Sequence, residues 1–471
     1  GMGYIIVSNL NGESEIVKSF YSRSPNCVRE FLNHLKADCK ELYLKHLTHI
    51  KPMNMTDQDK EDFETEIMCH ICGEEVLPAG TIEEYKDKDG NDKFRVHKKS
   101  KVRDHCHITG KYRGVAHNSC NLNYQIKKYF PVFYHNLKGY DGHFIIREIE
   151  KDECHKIKVL PINRTRYLSF SMILKNNNID SVQEIEEEDI KENQSDKSGF
   201  ELRFLDSSSF LNESIAKLAK DLRDNDKNVE AQNFKFTRSY INDFCKSQGI
   251  PEERETGVSE RRSRREELFE LLMRKGVYPY EYMTSWDKFN ETKLPETEKF
   301  MSTLEKQLGS FDELTDKQKA GLRAKVLHAK HVWSSFQCKN LGDYHDVYLS
   351  GDIHQLADIF ENFRKVSFEN YGLDPCHYYS LPALVWDAKD KMTGMKMKLY
   401  TEDKQDMYLF NEAGKIGGIS GTGASRYARA NNKFMDGVVL KDDDGNVEEV
   451  LKYDPSKPYN YIMYMDMNGL Y

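Results

Sequence analysis

Cys69-His-Ile-Cys72, Asp104-His-Cys-His-Ile-Thr-Gly-Lys-Tyr-Arg-Gly114, His117-Asn-Ser-Cys-Asn121 and Tyr134-His-Asn-Leu-Lys-Gly-Tyr-Asp-Gly-His-Phe144 follow one another closely. The first three carry soft N/S donors and a His/Asp cluster. The last carries an Asn and a Tyr-Asp pair after an apolar run. How these two kinds of signal relate decides the fold.

Cys69 and Cys72 form a C-x-x-C pair, and His117 and Cys120 an H-x-x-C pair. Two such knuckles supply four tetrahedral zinc ligands. The competing reading is four core side chains meeting by chance. Between the knuckles lie Asp104, His105 and His107, and Asn121 follows the last ligand. Asp and Asn oxygens suit Mg²⁺, and a neutral His beside them can deprotonate water. The alternatives are that these groups are structural, or that His105 and His107 replace a zinc ligand.

Outward from this stretch, the composition sets bounds. Charged residues are 31% of 471, and the net charge is −8, so the chain is no globally basic coat. Basic charge is local: Lys93 to Lys128 holds ten Lys/Arg and one acid. The other cysteines are scattered singly, as expected in a reducing compartment with a metal site. No run of 18 apolar residues and no secretory leader is visible, so the expectation is an intracellular protein without membrane contact. Gly1–Ser8 opens inside an apolar strand and Tyr471 closely follows another, so the chain reads as a fragment.

The pattern predicts a strand at 4–8, an amphipathic helix at 26–48 and an acidic, polar stretch at 52–66. Strands are expected near 129–134 and 156–175, with a helix at 141–150 capped by Asp141. Residues 183–198 read as an exposed loop, 204–222 as strand, turn and helix, 259–275 as a charged helix, and 297–340 as further helix. From Asp352, Leu356, Ile359, Phe360, Phe363 and Val366 fall on one helical face, ended by Gly372. Residues 460–467 read as a strand carrying Asp466.

Asp104–Gly114 with His117–Asn121 resembles the phage recombination endonuclease VII family. That resemblance implies a ββα-metal module in which Asp104 and Asn121 hold Mg²⁺, His105 is the general base, and Cys69, Cys72, His117 and Cys120 hold structural zinc. His117 stands where that family usually has Cys.

The remaining motifs resemble protein-primed family-B DNA polymerases, nearest to those of Maverick/Polinton transposons. His135–Asp141 resembles the second 3′–5′ exonuclease motif, which implies that Asn136 and Tyr140 touch single-stranded DNA and Asp141 binds metal. Tyr348–Asp352 (YLSGD) resembles the third, with Tyr348 orienting water and Asp352 binding metal. Ser214 matches a DNA ligand, and Lys275 a catalytic lysine. Tyr461–Tyr471 resembles polymerase motif A, with Asp466 as a catalytic Mg²⁺ ligand and Tyr471 as the gate at the nucleotide site. Gly351 and Gly469 depart from the pattern. Asp62-Phe-Glu64 spells the first exonuclease motif, but its polar surroundings cannot be a buried strand, so the match reads as accidental; the family places its D-x-E pair upstream of Gly3.

The expected fold is α/β in the α+β sense. An RNase H-like exonuclease domain (1–68 and 125–400) is interrupted by a zinc module (69–124) and followed by the start of a polymerase palm (401–471). The implied partners are primer-template and single-stranded DNA, dNTPs and a terminal priming protein. The implied cofactors are Mg²⁺ at the polymerase, exonuclease and endonuclease sites, and structural Zn²⁺. Replication of a transposon or virus-like element, in the nucleus for a eukaryotic host, is the implied setting, and no primer extension is expected of these residues alone. Two rivals stay open: a structure-selective Mg²⁺ endonuclease, and an inactive DNA-binding relic.

Overall fold

The computed structural model describes residues 1–10, 12–47, 51–86, 91–124, 129–139, 141–149, 156–163, 166–175, 199–225, 233–250, 264–301, 306, 310–395, 404–414, 429–442 and 446–462. The fold is mixed α+β, with several small sheets and long helices. It divides into two units, Gly1–Gly394 and Met395–Tyr471. The expected loop at 183–198, Tyr140, Asp466 and Tyr471 lie outside the described residues.

The first unit opens with an antiparallel hairpin, β1 (Met2–Ser8) and β2 (Glu15–Ser22), followed by α1 (Cys27–His46). In α1, Phe31, Leu32, Leu35, Cys39 and Tyr43 are buried, the spacing of one helical face. They pack on the four-stranded sheet described below, against Phe170, Met172, Phe200, Leu202 and Phe204.

Within the first unit, residues 51–124 have a small apolar core of their own. Helix α2 (Asp57–Thr65) comes first, its start fixed by a capping box between Thr56 and Asp59. Then come the hairpin β3 (Ile82–Lys86) and β4 (Asp92–Val96), the hairpin β5 (Lys101–His105) and β6 (Tyr112–His117), and the short helix α3 (Asn118–Asn123). The polar stretch at 52–66 is thus largely helix. Its acids face water while Phe63 enters the small core with Cys69, Val76, Val115 and Ala116. The chain before α2 is stitched to the β5–β6 turn by Lys51 N–H to His107 O (2.8 Å) and Asn54 N–H to Gly110 O (2.7 Å). Gly110 has φ +78°, and a Cβ there would lie 2.6 Å from Pro52 O, so only glycine allows this approach. The folded piece therefore starts near Lys51, and a boundary at residue 69 falls inside it. Asp62 and Glu64 sit on α2, not at the end of a buried strand.

The main sheet follows: β7 (Tyr129–Tyr134), β8 (Lys156–Pro161), β9 (Tyr167–Lys175) and β10 (Gly199–Asp206), in the order β7-β10-β9-β8. β10 runs parallel to β7 and antiparallel to β9. Helix α4 (Asp141–Glu148) leads away from β7. Beyond the sheet are α5 (Ile215–Asn225), α6 (Lys235–Ser247), α7 (Arg264–Leu272), α8 (Asp316–Ser335), α9 (Leu341–Tyr371) and α10 (Leu381–Thr393). α5 to α9 build a second apolar core around Phe234, Phe269, Leu322 and Tyr344.

α9 starts eleven residues before Asp352, where the apolar spacing alone placed it. Asn340 caps it, its side chain accepting from Asp343 N–H, and Gly372 ends it at φ +62°. Tyr348 and Asp352 therefore lie mid-helix, one turn apart.

The second unit holds α11 (Gln405–Ala413) and a hairpin of β11 (Val439–Lys441) and β12 (Val447–Val450). Asn460 bridges to Asn431, and the rest of the expected strand at 460–467 lies, from residue 463, outside the described residues.

Candidate functional site

Cys69, Cys72, His117 and Cys120 bring their ligand atoms within 4.8 Å of one another. His117 Nδ1 faces the sulfurs of Cys72 (3.3 Å) and Cys120 (3.6 Å), and the Cys69 sulfur accepts the His117 backbone N–H (3.3 Å). His117 Nε2 lies 3.0 Å from the Glu75 carbonyl. A carbonyl only accepts, so the proton is on Nε2 and the Nδ1 lone pair points into the cluster. This is the arrangement that orients a metal-binding histidine. Burial resists ionisation of Cys69, but the backbone N–H groups of His117, Cys72 and Ile71 bring its thiol down to about 7. The donor set fits a four-coordinate zinc ion.

Beside this cluster, β5, β6 and α3 form a strand-strand-helix unit. His105 ends β5, and its ring lies 4.8 Å from that of His107. Burial holds the His105 imidazole below its ordinary range, with His107 and Arg113 adding to the effect and Asp104 opposing it. Asp104 is 1% exposed. One of its oxygens meets His70 Nε2 at 2.8 Å, and the other accepts from Arg113 at 2.7 Å. Gly114, at φ +145°, lets His70 reach it, since a Cβ there would lie 3.1 Å from the His70 ring. Among the described residues Asn121, on α3, is not a hydrogen-bond partner of Asp104. Sequence patterning missed His70 and Arg113 as Asp104's partners; both stand inside the quoted motifs.

The second site is a cavity of about 600 Å³ at the junction of the main sheet with α5, α7 and α9. Asn136, Ser214, Lys275, Tyr348 and Asp352 all line it. Asn136 sits in the turn after β7 with φ +66°. That turn is held by Asp206, 1% exposed at the end of β10, whose carboxylate accepts the N–H groups of Asn136 (2.9 Å), Lys138 (3.1 Å) and Ser208 (2.9 Å). Ser214 caps α5 by accepting the Lys217 N–H.

α9 builds the opposite wall and anchors it. The Tyr344 hydroxyl donates to Val277 O, and the Gln355 amide donates to Leu272 O (2.8 Å). These two bonds pin the segment 272–277 that carries Lys275. Gly276 lies so close to Tyr348 that a Cβ would fall 2.5 Å from its ring. At Gly351, the departure from the motif, an added Cβ would lie 3.4 Å from the Leu272 side chain, about an ordinary contact, where α9 packs on α7.

The Tyr348 and Tyr280 hydroxyls are 2.6 Å apart. Burial raises the Tyr348 phenol, with Asp352 and Tyr280 adding to the effect. Burial also pushes the Asp352 carboxyl up to about 6, against a hydrogen bond from Tyr348. Asp141 is the first residue of α4 rather than its preceding cap, and it does not line the cavity. Its carboxyl is raised by burial and by the charge of Asp206, while its own backbone N–H pulls the other way.

Asp206 is the positioning residue that patterning missed. Its signal is local: an acid followed by Ser207-Ser208-Ser209, a turn in which the side chain bonds backbone two residues on. Asp206→Ala leaves three inward N–H groups without an acceptor. The expected loss is about 3 kcal/mol or more in urea unfolding. A loss below about 1 kcal/mol would mean that the turn stands without it.

No family model, no curated protein and no solved structure matches the chain. Among the described residues, no helix is long and apolar enough to cross a membrane.

Proposed function

We propose that the chain is part of a protein-primed family-B DNA polymerase of a transposon or virus-like element. In this reading the cavity is its RNase H-like 3′–5′ exonuclease site, and residues 51–124 are an inserted endonuclease VII-like module. One observation carries it. Five positions singled out by motif resemblance, spread from residue 136 to residue 352, line the same cavity. Chance placement of five such side chains would scatter them over the surface.

Asn136 and Ser214 grip the single strand, Lys275 faces the phosphate, Tyr348 aligns a water through its hydroxyl, and Asp352 is a hard oxygen ligand. Mg²⁺, when bound, would neutralise charge building on the phosphate. Asp352 fits that role: its carboxylate is raised by burial and has no cationic side chain among its described partners. The resemblance puts a D-x-E pair on a strand before Gly3, and β7 is an edge strand among the described residues, a place where such a strand could pair.

The test is binding. The 471-residue chain is expected to bind a single-stranded oligothymidylate more tightly than a duplex of equal length, and Asn136→Ala to weaken it about tenfold. Equal affinity for both forms, or an unaffected variant, would sink the proposal.

A second reading rests on the strand-strand-helix unit with His105 at a strand end and a basic surround. It makes residues 51–124 a Mg²⁺-dependent nuclease, with Asp104 released from Arg113 to join Asn121 around the ion. Nicking of branched DNA that is lost in His105→Ala, by about 10²-fold or more, and kept in Asp352→Ala supports it. Nicking unchanged in His105→Ala refutes it.

A further inference from the structure

His328 also lines the cavity, yet nothing in the motif reading accounts for it. It lies on α8, 4% exposed, among the side chains that pack α8 into the helical core. The large majority of buried side-chain nitrogens have a hydrogen-bond partner, and each exception calls for an explanation. His328 Nδ1 is sealed from solvent and has no hydrogen-bond partner. The ring is neutral: burial drives its pKa down to about 4, and Arg274 and His331 push the same way.

A neutral imidazole carries one proton. On Nδ1 it would be a buried N–H with no acceptor, the costlier orphan. On Nε2 it is a donor at the nitrogen that is not sealed, on a residue that lines the cavity. Arg274 and Lys275 line the same cavity. A neutral donor beside two exposed cations matches an oxyanion, because each group offers hydrogen and the cations supply the charge.

We infer that His328 Nε2, with Arg274 and Lys275, forms a phosphate-binding wall in this cavity that holds the phosphate of a nucleotide. His328 is a binding residue here, separate from the carboxylate side of the site at Asp352. The inference rests on the exonuclease reading for the choice of a nucleotide as ligand and for Lys275 facing its phosphate; the roles of His328 and Arg274 are its own.

The test uses the full chain, dTMP and thymidine, without Mg²⁺. Gln puts its amide nitrogen near the place of Nε2, and Asn near that of Nδ1. His328→Gln should bind dTMP within about threefold of the parent. His328→Asn and His328→Ala should bind it about tenfold or more weakly, with thymidine binding unchanged. In the parent protein, the His328 Nε2 resonance should move on adding dTMP and not on adding thymidine, a readout that survives if a variant fails to fold. Absence of dTMP binding by the parent, a still Nε2 resonance, or equal dTMP affinity in the folded Gln and Asn variants overturns the inference. Oligonucleotide binding as proposed with no effect of His328 on dTMP defeats this inference alone. The reverse result defeats the exonuclease reading alone.

Discussion

Stripping metal from the Cys69–Cys72–His117–Cys120 cluster is expected to unfold residues 51–124 while the main sheet and helices stay folded. Among its described residues the module's buried apolar side chains are only Phe63, Cys69, Val76, Val115 and Ala116, with a few half-buried neighbours. So small a core cannot offset the conformational entropy of ordering its two hairpins and two short helices. An ion held by Cys69, Cys72, His117 and Cys120 would close that gap, tying the knuckle before β3 to the end of β6 and the start of α3. Structural zinc contributes roughly 10–16 kcal/mol of apparent binding energy, which becomes folding energy when the apo site is unstructured. One zinc per chain is expected by elemental analysis. Cys69→Ser and Cys120→Ser should each lose it and open the module to protease between Lys51 and Tyr124. A metal-free protein with the same protease resistance as the loaded one would reduce the cluster to ordinary core packing.

The second large effect concerns Asp352. Its carboxyl is raised to about 6 in the fold, from 3.8 for the free side chain, with burial as the main cause. The folded protein therefore holds this proton more tightly than the unfolded chain does. The stability so conferred is fully present below pH 3.8 and is lost as pH rises through about 6. At pH 7.5 the parent carries a buried carboxylate at a cost on the order of 2–3 kcal/mol. Asp352→Asn removes that cost. The variant should be more stable than the parent by this amount at pH 7.5 in urea unfolding, and nearly equal to it at pH 4. Mg²⁺ should raise the parent's midpoint and leave the variant's unchanged if Asp352 is a ligand. A variant less stable than the parent at pH 7.5 would show that the carboxylate is held by contacts rather than stored at a site. That cost is what a binding site carries for keeping a carboxylate ready for a cation.

Much of the molecule is legible in one dimension, and the legible parts share a cause. Local periodicity announces α1, because Phe31, Leu35 and Cys39 must face the sheet. The knuckle spacing announces the cluster, because a tetrahedral ion needs its ligands in close pairs. Tyr348 and Asp352, four apart, announce a shared helical face. What is not legible depends on partners far along the chain. α2 looks like a polar linker, because one buried side chain, Phe63, is all that ties its exposed acids to a core. Asp104 looks free for a metal, and only the folded hairpin shows His70 and Arg113 on both its oxygens. His328 looks like one more residue of a packed helix until the wall it completes is assembled.

By itself the sequence determined which residues were candidates for chemistry: the metal-ligand set by spacing, and the acid, hydroxyl and lysine of the second site by motif. Only the tertiary structure decided which of them meet. Asn136, Ser214, Lys275 and Asp352 are joined by no local pattern. They converge because Asp206 bends the turn after β7, and because Tyr344 and Gln355 on α9 tie down the strand of chain that carries Lys275. Those bonds link residues tens of positions apart, and a hydrogen bond between distant segments leaves no periodic trace in the sequence of either.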